Sequence, residues 1–221
     1  MLKSPNRCSG IFLSLTTMAD SIHSMPALIL ASSSRYRREV LQKLHLPFEC
    51  ISPDIDETPL LNESPEQTSL RLAESKARKV AETHANALII GCDQVATVDG
   101  LQIGKPGNHA NAVKQLTMLS GKEVIFHSAL CLYDSQKQHM QSTIAPYYVK
   151  FKTLTPEQIE TYLRLEQPYD CAGSAKSEGM GIALLEYMRG DDPNALIGLP
   201  VIALTNMLQQ AGIDVLSVQR T

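Results

Sequence analysis

Ser32-Ser33-Ser34-Arg35-Tyr36-Arg37-Arg38 places hydroxyls and guanidinium groups directly after an apolar run. Backbone N–H groups at a helix N-terminus carry partial positive charge and bind phosphate. Serine hydroxyls and arginine forks add donors of matching geometry. Arginines in a first helical turn oppose the helix dipole, so such a segment gains from an anion that joins them. A solvated basic helix start is the alternative on these residues alone.

Asp93 interrupts the apolar run Ala87–Val98. Aspartate is depleted in strand interiors, and a carboxylate among Ile89, Ile90 and Val95 must find a donor, a cation or a metal. Satisfaction by backbone amides is one reading; a metal ligand or general base is the one favoured here. The acidic stretch Asp54-Ile55-Asp56-Glu57 follows a short strand. Magnesium takes oxygen ligands, with only one or two from protein, so Asp56 or Glu57 with Asp93 could serve it. An acidic loop can equally be solvated surface. Lys76, in a helical pattern, and Lys105, between Gly104 and Pro106, could neutralise charge on a leaving pyrophosphate or merely snorkel.

Other chemistries lack their residues. The six histidines show no H-x-x-x-H spacing, and G-x-S-x-G and G-x-G-x-x-G are both absent. A net charge of −3 gives no reason to expect a nucleic-acid partner, and no apolar run is long enough to suggest a membrane span. The five cysteines are scattered without metal-ligand spacing, which fits a reducing cytoplasm. With no tryptophan and four phenylalanines the core must be mostly aliphatic.

These residues need elements to hold them. Residues 1–25 read as a disordered extension or an over-called start, with Met25 just before the first convincing strand, Ala27–Ala31. A serine-capped helix follows, then a short strand over Phe48–Ile51. Ser64-Pro65-Glu66-Gln67 and Thr155-Pro156-Glu157-Gln158 both open helices as capping boxes. The first helix buries Leu70, Ala73, Ala77 and Val80, with Lys76 flanking that stripe. Ala87–Val98 is a long strand turned at Asp99-Gly100. A helix spans about His109–Leu119, and strands Val124–Tyr133 and Thr143–Phe151 pair across the polar stretch Ser135–Gln141. Glycine-rich turns follow Tyr169, and a last helix beyond Pro200 carries Ile202, Ala203 and Leu208. The pattern is α/β with a mixed sheet, in a single domain over 26–215 with a tail over 216–221.

LILASSSRYRREVL, PDIDET, AESKARKVA, IIGCDQV, GKP, CAGSAKSEGMG and GLPV occur in this order, and in that order they resemble the Maf family of nucleotide pyrophosphatases. The resemblance runs from about Leu28 to the final helix. It implies hydrolysis of a nucleoside triphosphate to monophosphate and pyrophosphate, with magnesium or manganese as cofactor. By motif, the general base or metal-site aspartate falls on Asp93, and the early acidic metal ligand on Asp56 or Glu57. Phosphate handling falls on Arg37, Lys76 and Lys105, with Ser32 and Ser34 ahead of the helix. The implied fold is the Maf α/β fold, similar to the inosine triphosphatases: a mixed twisted sheet with flanking helices, a cleft between two lobes, and usually a homodimer.

Tyr36, Gln94 and Glu178 resemble the YceF-like branch, which acts on 7-methyl-GTP. Members taking thymidine and uridine triphosphates resemble S-P-R-R at the first motif and carry threonine after the aspartate. A methylated guanine is cationic and suits an aromatic face, and a carboxylate such as Glu178 can accept from guanine N1–H and the exocyclic amine. The chain departs from the branch in Arg35, where proline is usual, and in Tyr36, where tryptophan is usual. The alternatives are a Maf pyrophosphatase for dTTP, UTP or another modified nucleotide, and a nucleotide-binding regulator linked to septum formation.

Overall fold

In the computed structural model, residues 26–217 are described; the expected N-terminal extension and most of the expected tail lie outside them. Seven strands form one sheet in the order β2-β1-β3-β5-β6-β7, with β4 hydrogen-bonded to β3. β1 (Ala27–Ala31) pairs in parallel with β2 (Glu49–Cys50) and β3 (Ala87–Val98). β4 (Leu101–Ile103), β5 (Glu123–Asp134), β6 (His139–Phe151) and β7 (Leu185–Arg189) join antiparallel. The sheet is therefore mixed, as expected.

Helices α1 (Arg35–Gln42), α2 (Pro65–Ala81), α3 (His109–Leu119), α4 (Pro156–Glu166) and α5 (Val201–Gln210) flank it. Both capping boxes form: Ser64 with Gln67 opens α2, and Thr155 with Gln158 opens α4. Asp99 and Gly100 both take positive φ, at 49° and 77°, as a two-residue hairpin loop between β3 and β4 requires. One apolar cluster joins α3 and α4 to β5 and β6, and a second seats α1 and α5 on β1, β3 and β5. A third, smaller cluster holds α2 on β1 and β3.

Four details differ from the sequence reading. The strand expected over Phe48–Ile51 is hydrogen-bonded only at Glu49–Cys50. β6 starts at His139, inside the stretch read as a connection, because Asp134 accepts from the Gln136 and Lys137 N–H groups and closes a tighter turn. Leu70 is only partly buried, whereas Lys76 belongs to the buried stripe of α2. On α5 the buried residues are Leu204, Met207 and Leu208, while Ile202 points to solvent.

Candidate active site

A cleft of about 610 Å³ opens past the end of β1 and beside the middle of β3, against the 170–178 loop and the 196–197 backbone, within the range that holds a small-molecule ligand. Ser32, Ser34, Tyr36, Arg37, Glu57, Lys76, Asp93, Gln94, Lys105 and Glu178 all line it. Asp56 does not. Its Oδ1 accepts from the Thr58 N–H at 2.9 Å, and these hydrogen bonds to Thr58 hold the exposed carboxyl below its ordinary range. Of the two acidic residues left open by the motif, Glu57 is the one brought to the cleft.

The floor is a three-membered charge group. Lys76 Nζ lies 2.6 Å from Asp93 Oδ1 and 2.7 Å from Glu57 Oε1. Lys76 and Asp93 are buried, so each satisfies a charge the other could not leave unpaired. Glu57 joins from the exposed loop. That loop is itself fastened: Glu63 takes Arg71 through two hydrogen bonds at 2.6 and 2.9 Å, and Arg71 also donates to Thr58 O. Glu63 also accepts from Leu60 N–H and the Thr68 hydroxyl. Among the described residues, no group of three or more His, Cys, Asp or Glu side chains gathers to hold a metal ion.

Close approach of α2 to the sheet depends on Gly91. A β-carbon there would stand 2.1 Å from the Ala73 carbonyl oxygen and 2.7 Å from Cys131 Sγ. Ala73 lies one turn before Lys76 on α2, so this contact sets how deeply the lysine reaches.

One wall is the β1–α1 connection. Ser34 caps α1, its hydroxyl accepting from Arg37 N–H, and Ser32 Oγ accepts from Ser34 N–H at 3.2 Å. Arg37 is braced rather than free: Nε donates to Gly198 O at 2.9 Å and Nη1 to Cys92 O at 3.0 Å and Ser32 Oγ at 3.4 Å. Its guanidinium therefore meets the cleft in a fixed pose.

Gln94 Nε2 donates toward Ala195 O at 2.9 Å, Leu196 O at 3.0 Å and Ser128 Oγ at 2.8 Å. Carbonyls only accept, so the amide nitrogen must face them, and the amide oxygen is turned the other way. Asp93 and Gln94 are successive residues of β3, and their side chains leave opposite faces of the strand. Asp93 meets α2; Gln94 meets the segment before α5.

The opposite wall comes from the loop after α4. Asp170 accepts from the Tyr36 hydroxyl at 3.2 Å, and Arg35 donates to that same hydroxyl at 2.7 Å. The Arg35 guanidinium also lies over the Tyr36 ring, 4.6 Å from its centroid. One ring face is thus covered by a cation of the protein's own. Burial, more than any neighbour, pushes the Tyr36 hydroxyl up to about 12, so it is un-ionised near neutrality. Glu178 is exposed at the cleft rim. Lys105 is held by its flanking peptides, since Gln115 Nε2 donates to Gly104 O and Asn111 Nδ2 to Pro106 O.

Asp170 and the carbonyls of Ala195, Leu196 and Gly198 escaped the sequence reading. Asp170 sits directly before the CAGSAKSEGMG string, a position that could have drawn attention. Backbone carbonyls carry no residue signature.

A family model described as Maf-like protein matches residues 27–211. The chain is 65% identical over 192 residues to a 7-methyl-GTP pyrophosphatase of Methylobacillus flagellatus, covering 87% of this chain and 100% of that protein. A 7-methyl-GTP pyrophosphatase of Ralstonia nicotianae is 60% identical over 184 residues, 83% of this chain and 95% of that one. One from Nitrosospira multiformis is 56% identical over 188 residues, 85% and 95% respectively.

Proposed function

The chain belongs to the Maf family, and on that footing we propose that it hydrolyses 7-methyl-GTP to 7-methyl-GMP and pyrophosphate. The observation that carries the reading is the convergence of Lys76, Asp93 and Glu57 on a cleft whose next wall is the Ser32–Arg37 helix start. That is a phosphate cradle with a sheltered carboxylate beside it.

The triphosphate lies along Ser32, Ser34, Arg37 and the N–H groups opening α1. A water oxygen attacks the α-phosphorus. The bond from that phosphorus to the α–β bridging oxygen breaks, and pyrophosphate departs with the electron pair. Asp93 takes the proton from the attacking water. Lys76, Lys105 and Arg37 meet the charge that gathers on the leaving group.

Asp93 and Glu57 are the residues that would hold magnesium or manganese. Lys76 Nζ stands between their oxygens, so the two carboxylates would serve a hard ion, which takes only one or two from protein, once the ammonium turned toward phosphate. Such an ion would supply Lewis-acid polarisation of the phosphate.

Glu178 accepts from guanine N1–H and the exocyclic amine, and Gln94 offers its amide oxygen. The methylated base, being cationic, stacks on the Tyr36 face that Arg35 leaves open. The enzyme works in the cytoplasm as a homodimer. The four described cysteines, all free thiols, support a reducing compartment, and light scattering on the purified protein tests the dimer. Among the described residues, no helix is long and apolar enough to cross a membrane.

The deciding assay is pyrophosphate release with magnesium or manganese from 7-methyl-GTP, GTP, dTTP, UTP and CTP. Preference for 7-methyl-GTP is expected. Preference for a pyrimidine would keep the reaction and remove the base assignment. No release by folded, metal-supplied protein would leave a nucleotide-binding regulator.

A further inference from the structure

Asp192 is 4% exposed and does not line the cleft. One of its oxygens accepts from the Asn194 backbone N–H at 2.8 Å and the Asn194 side-chain amide at 3.2 Å. The other accepts from the Ile202 N–H at 2.6 Å. The first contact caps the short 3-10 turn Pro193–Ala195. The second serves α5, whose own N-cap position is Pro200 and makes no side-chain cap. A single buried carboxylate thus fastens both ends of the segment 192–202.

The middle of that segment is what holds the site. Ala195 O and Leu196 O receive the Gln94 amide, and Gly198 O receives Arg37 Nε. Gly198 takes φ +93°, a region that favours glycine, and a β-carbon there would stand 3.1 Å from Arg37 Nε. These carbonyls point correctly only while the segment keeps its shape.

We propose that Asp192 is a positioning residue for the pyrophosphatase site: its carboxylate shapes the 192–202 segment so that Gln94 is aimed at the base and Arg37 at the phosphates. This rests on the functional reading above. A cap that served stability alone would reduce the folded fraction and treat all substrates alike. A positioning residue changes the balance between substrates, because Gln94 senses the base.

Asp192→Asn keeps the shape but supplies one acceptor where two oxygens are used, and sets an amide donor against another donor. Asp192→Ser retains a cap for the Asn194 N–H but is too short to reach Ile202 as well. In whichever variant is folded by circular dichroism, the kcat/KM ratio of 7-methyl-GTP to UTP should fall roughly tenfold, because guanine offers two donors to an amide oxygen where uracil offers one, as expected when a contacting group is misplaced by a fraction of an ångström. In a Gln94→Ala background the same change at Asp192 should leave that ratio where Gln94→Ala alone puts it. A ratio unchanged in both folded variants, with only a lower melting temperature, would overturn the proposal. A readout independent of turnover is hydrogen exchange at Arg37 Nε–H, expected to speed up in either variant as the bond to Gly198 loosens; unaltered exchange would also count against it. Wild-type protein inactive on 7-methyl-GTP, with exchange still responding to Asp192, would remove the functional reading and keep the segment's control of Arg37.

Discussion

Lys76 and Asp93 meet at 2.6 Å with side chains only 8% and 10% exposed, and they arrive from different elements, helix α2 and strand β3. A carboxylate in the middle of a buried strand is thereby matched by a lysine in the middle of a buried helical stripe. Each position is unfavourable alone, and the pair makes both tolerable. Shelter from water also strengthens the field each exerts on a phosphate nearby.

Asp93→Asn should lower turnover by about 10²- to 10⁴-fold, the range for losing a positioned proton acceptor. The amide keeps the shape, and Lys76 retains Glu57, so the circular dichroism spectrum should stay native. Ordinary turnover in this variant would remove Asp93 from the mechanism.

Glu57 and Asp56 should separate cleanly in a metal titration. Glu57→Gln is expected to weaken manganese binding about tenfold or more, read by calorimetry without substrate. Asp56→Asn should leave it unchanged, because that carboxylate is engaged with Thr58. The reverse order would restore Asp56 as the ligand.

Gly91→Ala places a methyl group into backbone that cannot yield easily. A loss of about 1–3 kcal/mol is expected from such overpacking, together with slower turnover as α2 lifts and withdraws Lys76. Melting temperature and kcat measured on the same preparation check both. A variant as stable and fast as wild type would show that the contact does not set the reach of Lys76.

Arg71 holds the Glu63 carboxyl at about 2, against an ordinary 4.5. A carboxyl lowered by folding adds stability that is complete above its unfolded value and disappears as pH falls through the folded one. The melting-temperature gap between wild type and Glu63→Gln should therefore be constant above about pH 4.5 and narrow as pH falls toward 2. A gap that does not depend on pH would mean the two residues act by packing alone.

Glu178→Gln should shift the preference among bases while leaving the best substrate's kcat within a few-fold. The amide still accepts one hydrogen bond but sets a donor where guanine also donates. An identical substrate panel would remove Glu178 from base recognition.

Much of the site could be read from residue type. Asp93 stood out because a strand interior rejects aspartate, and the serine–arginine segment because its charges oppose the helix dipole. Capping boxes marked α2 and α4 through two side chains each. β7 was invisible for a physical reason: four of its five residues are exposed, so LEYMR lacks the alternation that betrays a half-buried strand. Asp192 was half legible: its cap on Asn194 has the local signature Asp-Pro, but its bond to Ile202, ten positions ahead, has none. Spacing of four residues from Leu72 and from Val80 places Lys76 beside the stripe of α2; only its partners across the fold explain why a lysine is buried there.

Asp93 and Gln94 leave opposite faces of one strand, the first toward α2 and the second toward the segment before α5. On the proposed reading, the strand therefore presents its proton acceptor on one face and its base contact on the other. On that reading, a substitution confined to the Gln94 side chain would alter base preference and leave Lys76 and Asp93 paired, whereas one in the 192–202 segment would also move Arg37.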